Sequence, residues 1–185
     1  MLKFILLGFI SHKPSTGYEL KQLLDNSTGY FWHAYHSQVY STLRSLENEG
    51  LITTHVVNGS DHLTRRVCRI TAKGEKELRA WLDDPMMEVA RMKEDLMVRV
   101  FFSSLRDAPE VEAELRMQRK LHEQQLEEYL DMFVANNGAN GENKGEPAED
   151  DLSQVYQTAT LRFGIAYERM YLEWLDDLIY RLEKV

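Results

Sequence analysis

The sequence predicts a mainly α fold with one small β-hairpin, divided into two parts. Three observations predict it. The first 82 residues read helix, helix, helix, strand, strand, helix. The run Asp83-Asp84-Pro85 then breaks the pattern. Beyond it the apolar spacing is helical almost to the end of the chain. The expected division is residues 1–84 and 85–185.

Each element has a local reason. "LKFILLGFI" is short and apolar on nearly all sides, so it reads as a buried helix. Pro14 and Gly17 punctuate the next segment. Thr16 is the expected N-cap of a second helix, with Tyr18, Leu20, Leu23 and Leu24 at helical spacing. A third helix places Val39, Leu43 and Leu46 on one side. Its other side carries Ser37, Gln38, Ser41, Arg44, Ser45 and Asn48, a polar and mostly uncharged face. Ser37 is its expected N-cap and Gly50 its stop. "LITTHVVN" and "RRVCRIT" are strand candidates, the second with Cys68 and Ile70 on one face and Arg65, Val67 and Arg69 on the other. "GSDHLT" between them reads as a turn. Thr71 caps a fourth helix, "AKGEKELRAWL". Three helices with an appended hairpin make a winged helix-turn-helix.

In the second part, one helix is expected at 93–105, stopped before Pro109. Two long helices are expected at 110–135 and 152–184. The stretch 136–151, rich in Gly, Asn and acidic residues, reads as a mobile loop that lets them lie antiparallel. The last helix carries a stripe of Tyr167, Tyr171, Trp174, Leu178 and Leu182, widened by Phe163, Met170, Leu175 and Ile179. That stripe is the centre of a helical bundle or a homodimer seam, and the small number of other helices favours the seam.

Charge narrows the function. The net charge is −8, but residues 1–82 hold ten Lys/Arg against seven Asp/Glu, whereas 83–185 hold twelve against twenty-three. A locally basic surface within an acidic chain suits phosphate contact. With Cys68 as the only cysteine there is no intrachain disulfide. No apolar run has the length of a membrane span, so the expectation is a soluble cytoplasmic protein. His33 and His36 have no carboxylate or cysteine nearby to complete a metal set, and "GFISHKPSTG" lacks the ending of a phosphate loop. No nucleophile-base or paired-carboxylate pattern is present, so neither an enzyme nor a cofactor is expected.

The segments "ILLGFI", "TGYELKQLL", "GYFWHAYHSQVYSTLRSLENEGLI", "RRVCRITAKGEKELRAWL" and "KEDLMVRVFF" resemble the PadR family of bacterial transcriptional regulators. The layout is similar to its long subfamily, with an extended helical C-terminal domain. The resemblance implies a dimeric DNA-binding regulator, joined through the C-terminal helices and touching DNA with the third helix and the wing. It implies a phenolic-acid class effector as one option. Ser41 departs from the family pattern, where many relatives carry Pro, as does Cys68, where an aromatic is common.

The side chains on the third helix suit a major groove. Gln38 can pair with adenine, and Arg44 with guanine or a phosphate. Ser37 and Ser41 are small enough to let the backbone approach. Tyr40 sits at the edge of the exposed arc. Arg65 and Arg66 follow the wing tip, with Asn58 and Gly59 before it, and are candidates for phosphate or minor-groove contact. Asp61 at the tip argues against deep insertion. Lys13, Ser15, Thr16 and Tyr18 at the second helix, and Lys73 before the fourth, are candidate phosphate contacts. Phe31, Trp32 and Tyr35 are expected to line an aromatic pocket for a flat effector, with His36, Tyr167 and Tyr171 as polar contacts. The rival reading is a winged helix that binds protein instead of DNA. It calls for a more apolar third-helix face than one bearing Arg44.

Overall fold

The computed structural model describes residues 1–29, 31–58, 64–91, 93–138 and 152–184. It divides into two compact units, Met1–Ala90 and Arg91–Val185. The division falls in the segment between the fourth and fifth helices.

In the first unit, α1 (Leu2–His12) buries Leu6, Leu7 and Ile10. Phe4 on its flank stacks on Trp81 of α4 (Ala72–Asp83), with ring centroids 4.5 Å apart. α2 (Gly17–Leu23) opens with a reciprocal cap. The Glu19 N–H donates to the Thr16 hydroxyl (3.2 Å), and the Thr16 N–H donates to the Glu19 carboxylate (2.7 Å). The expected helix through residue 27 is present, but its last turn, Leu24–Thr28, widens to π geometry. There Ser27 and Thr28 donate their hydroxyls back to the Leu23 and Leu24 carbonyls.

α3 (His36–Asn48) begins one residue before its expected cap. Tyr35 holds the N-cap position, with extended backbone, and Ser37 lies inside the first turn. At the other end Gly50 adopts φ +69°, a left-handed value that glycine takes without strain. Leu51 N–H then reaches back to the Leu46 carbonyl (2.9 Å) and Gly50 N–H to that of Glu47 (3.0 Å). This pair of bonds is a Schellman closure.

β2 (Ile52–Asn58) and β3 (Thr64–Ile70) form the expected hairpin, in register from Ile52 opposite Ile70 to Asn58 opposite Thr64. The turn residues Gly59 and Asp61 lie outside the described residues. An additional strand, β1 (Ser15–Thr16), pairs with the far edge of β3, giving the order β1-β3-β2. Two residues after a proline carry no alternation, so periodicity has nothing to detect there. Leu20, Leu24, Val39, Leu43, Leu46, Leu51, Ile52 and Cys68 join the α1 residues in one core.

In the second unit the helix expected at 93–105 is divided. α5 (Asp95–Phe101) ends, and a 3₁₀ turn, Ser103–Leu105, succeeds it. The Ser103 hydroxyl donates to the Arg99 carbonyl (2.9 Å), which offers the backbone a partner outside the helical ladder. α6 (Ala108–Gly138) starts with Pro109 in its first turn, where a missing N–H costs nothing. It runs three residues into the expected loop, and 139–151 lie outside the described residues. α7 (Leu152–Leu182) lies antiparallel to α6. Arg116 pairs with Glu183, Arg119 with Asp176, and His122 with Glu168, so one helix rises as the other descends.

The apolar stripe of α7 is partly the bundle's own centre. Tyr171, Leu175 and Ile179 are buried with Leu96 of α5 and Val111 and Leu115 of α6. Phe163 and Met170 stay uncovered within the unit, at 68% and 48% exposure. Among the described residues no helix is long and apolar enough to cross a membrane.

The first turn of α4 sits against the end of α3 at Gly74. A Cβ added there would stand 2.2 Å from the Leu51 carbonyl oxygen, a backbone atom that has no room to move. Gly74→Ala is expected to lower stability by about 1–3 kcal/mol, the usual range for forced overpacking, in urea unfolding of the intact chain. An unchanged midpoint would mean that the two segments separate without cost.

Candidate nucleic-acid interface

α3 buries Val39, Leu43 and Leu46 and turns Ser37, Gln38, Tyr40, Ser41, Arg44 and Ser45 outward. The spacing that seats the helix therefore also sets which side chains it presents. Arg44 has no hydrogen-bond or ion-pair partner among the described residues. Its five donors are free to meet a base edge or a phosphate. The Ser41 hydroxyl donates to the Gln38 carbonyl (3.0 Å), and the Ser45 hydroxyl to Glu49 (2.8 Å).

Gln38 performs a second task. Its Oε1 accepts the Tyr35 N–H (2.8 Å) and so satisfies an orphan donor at the start of α3. In this arrangement the amide oxygen is already engaged, which leaves the nitrogen as the group open to another partner. The base-pairing chemistry of Gln38 is readable from the sequence. The capping is not among the expectations above, although Gln three residues after a cap position is the available signal.

Gly17 lets α2 and α3 cross closely. The Tyr40 ring lies over it, so a Cβ on Gly17 would fall 2.7 Å from Tyr40 Cε1. Tyr40 is thereby held at the rim of the outer face, where it remains exposed. Tyr18 is also exposed, its hydroxyl accepting from Gln22 (3.1 Å).

Two of the expected phosphate contacts are placed differently. Ser15 is 3% exposed, paired within β1, and its hydroxyl donates to the Lys13 carbonyl (3.0 Å). It does not face a duplex. The Lys73 ammonium, though exposed, donates to the Glu49 carbonyl at the end of α3 (2.7 Å). The amino end of α2 is likewise occupied by Glu19. The hydrogen bond from the Thr16 backbone N–H holds the Glu19 carboxyl below its ordinary range. Thr16 is half-buried beside it as the cap.

On the hairpin, Arg65 and Arg66 are exposed. Arg66 makes a loose pair with Glu47 of α3 (3.5 Å, both side chains well exposed) and is available for other partners. Arg69, opposite Thr53, adds a third exposed cation on β3. The Cys68 thiol is buried beside Thr54, and burial pushes its pKa up, as fits a packing role. Among the described residues no group of His, Cys, Asp and Glu could hold a metal ion.

The expected effector contacts are distributed over the two units. Phe31, Trp32, Tyr35 and His36 belong to the first, with Phe31, Tyr35 and His36 exposed and Trp32 half-buried. Tyr167 and Tyr171 belong to the second. Tyr171 is 3% exposed and stacks on His122 at 3.8 Å. Burial, then the neighbouring Glu94 carboxylate, pushes its phenol well above the ordinary range. It is a core residue of its bundle, and the half-buried Tyr167 leans on it.

Comparison with known proteins matches these two units to two family models. Residues 6–80 match the transcriptional regulator PadR-like family, and residues 92–183 match the C-terminal region of virulence activator alpha. A probable transcriptional regulator of Mycobacterium tuberculosis is 26% identical, over 99% of this chain and 98% of its own. The negative transcriptional regulator PadR of Bacillus subtilis is 24% identical, over 100% and 98%. The crystal structure of that PadR with operator DNA aligns at a TM-score of 0.83 and 23% identity, covering 97% of each chain. The same protein has been solved with p-coumaric acid. The Vibrio cholerae virulence activator AphA aligns at a TM-score of 0.79 and 24% identity, over 100% of this chain and 99% of its own. The structural likenesses establish the winged-helix fold with its helical C-terminal region, and the two matched models establish the lineage. The chain belongs to the PadR-like family of transcriptional regulators, which are not enzymes.

Proposed function

We propose that this regulator is a sequence-specific repressor that binds a palindromic operator as a homodimer and is released by a small aromatic, phenolic acid-like effector. The observation that carries the reading is the outer face of α3. It is polar and small-chained, and it holds Arg44, which has no partner among the described residues, between a capped α2 and an arginine-bearing hairpin. In the major groove, Arg44 reaches guanine or a phosphate, and the Gln38 amide nitrogen donates to a base acceptor. Ser37 and Ser41 leave clearance for the backbone. Tyr40, Thr16 and Tyr18 face the sugar-phosphate rim, and Arg65 and Arg66 take phosphates along the wing.

The sign of regulation is taken from the Bacillus relative, a negative regulator. The effector class is taken from its complex with p-coumaric acid. Phe31, Trp32, Tyr35 and His36, all in the first unit, are the residues we assign to it. Dimerisation is supported by the apolar residues that the C-terminal unit leaves uncovered, Phe163 and Met170 on α7 and Val98, Phe101 and Phe102 on and after α5.

Three measurements test these assignments. Arg44→Ala is expected to weaken binding to a selected operator by about 1–3 kcal/mol in gel shifts, and Arg65→Ala and Arg66→Ala each to reduce the salt slope by about 1. Operator affinity unchanged by Arg44→Ala would place α3 elsewhere. Sedimentation should give twice the chain mass of 21.7 kDa, and Phe163→Glu with Met170→Glu should shift it to one. A wild-type monomer contradicts the dimer. Calorimetry with p-coumaric acid should show heat together with loss of operator binding, and neither effect would remove the effector.

A further inference from the structure

Through the Schellman closure, three successive carbonyls, those of Glu49, Gly50 and Leu51, have no partner in the helix. All three are taken by the entry to α4. The Lys73 ammonium donates to the Glu49 carbonyl (2.7 Å). The Thr71 hydroxyl donates to that of Gly50 (2.8 Å), and the Thr71 N–H to that of Leu51 (3.0 Å). Gly74 lies directly on the same Leu51 carbonyl. A second connection comes from α1, where Lys3 bridges the Glu49 carboxylate (2.7 Å) and Glu77 of α4 (2.6 Å). Ser45 donates to the other Glu49 oxygen (2.8 Å). Glu49 is therefore held through both its backbone and its side chain, by lysines from two different helices.

We infer that Lys73 is a positioning residue for DNA recognition: it fixes the carboxyl end of α3 to α4 and so aims Gln38, Ser41 and Arg44, without contacting the duplex itself. The inference rests on the DNA-binding reading proposed for α3. A cation on the last carbonyls of a helix is stabilised by the helix dipole, and its hydrogen bond is charge-assisted. Arg44 lies within the two helical turns before Glu49. A small tilt at the clamped end therefore displaces the guanidinium relative to a base edge. A displacement of that kind alters affinity for the correct sequence. It leaves contacts to the uniform phosphate backbone nearly unchanged.

The two roles leave different signatures. The full chain is titrated against a duplex that the wild type selects from a random pool, and against a scrambled duplex, over a range of salt. Lys73→Met is expected to weaken the selected duplex by about fivefold to tenfold, the scale of one hydrogen bond. The scrambled duplex and the salt slope should not change, and Lys73→Arg should restore most of the loss. Lys73→Gln, which also takes the ammonium off the Glu49 carbonyl, should give the same selective loss and carries the test if Lys73→Met does not fold. Equal weakening of both duplexes with a slope lower by about 1 would make Lys73 a phosphate contact and overturn the inference. So would a Lys73→Met or Lys73→Gln chain that behaves like wild type on the selected duplex. A wild type that selects no duplex would remove the DNA-binding reading and this inference with it.

Discussion

The first unit depends on how closely one backbone oxygen can be approached. The Leu51 carbonyl emerges where α3 has ended and β2 is about to begin, and the first turn of α4 comes down directly on it. That contact has two glycine requirements. Gly50 takes the left-handed conformation that turns the chain out of α3, and Gly74 lacks the Cβ that would hold α4 away. With both in place, Thr71 closes the sheet, caps α4 and bonds the turn after α3 simultaneously. The core residues Leu46, Leu51 and Ile52 are buried around this junction. The same junction sets the direction of the outer face of α3, since it anchors the backbone at the carboxyl end of that helix.

The second unit is organised by length instead of by a turn. α6 and α7 have 31 residues each, and their register is marked by cross-helix pairs at three levels. The Arg116 and Arg119 pairs are exposed and contribute little individually. The inner pair differs. His122 Nδ1 lies 2.5 Å from the buried Glu168 carboxylate, and the imidazole stacks on Tyr171. A slip of one turn would leave Glu168 buried without its partner, a large penalty in an apolar surrounding. The pair thus acts against wrong registers more than it adds to the stability of the right one.

Much of this organisation is legible in the sequence, for physical reasons. The inner faces of α3 and the hairpin are patterned by burial, so Val39, Leu43, Leu46 and Cys68 can be placed from spacing alone. Caps with side-chain chemistry, at Thr16 and Thr71, are equally readable. Features that depend on tertiary approach are not. β1 has two residues and exists because β3 offers an open edge. Ser15 looks like a surface serine until that pairing buries it. The α7 stripe reads as a seam because the depth of cover from α5 and α6 cannot be deduced from their periodicity. Lys73 is a cation near a helix start, and only the position of the Glu49 carbonyl makes it a C-terminal clamp of another helix.

Gln38 shows how the two kinds of information meet in one side chain. A helix that enters a groove by its amino end has exposed N–H groups there, and an adjacent phosphate or a side chain must satisfy them. Here Gln38 satisfies one at Tyr35, which commits the amide oxygen and fixes the side-chain rotamer. A bidentate contact with adenine needs both oxygen and nitrogen, so it requires that cap to be released. Release becomes favourable only when the duplex returns at least as much as the cap provides, about 1 kcal/mol for a neutral hydrogen bond. A non-cognate base at that position leaves Gln38 capping its own helix, with no penalty to either partner. The cap therefore lowers the affinity of a correct contact and also softens the cost of a wrong one. In the proposed interface Arg44, without a competing partner among the described residues, gives up no internal contact to meet a base. Under the DNA-binding reading proposed for α3, sequence preference is accordingly weighted toward its carboxyl half, the half that the α4 clamp holds.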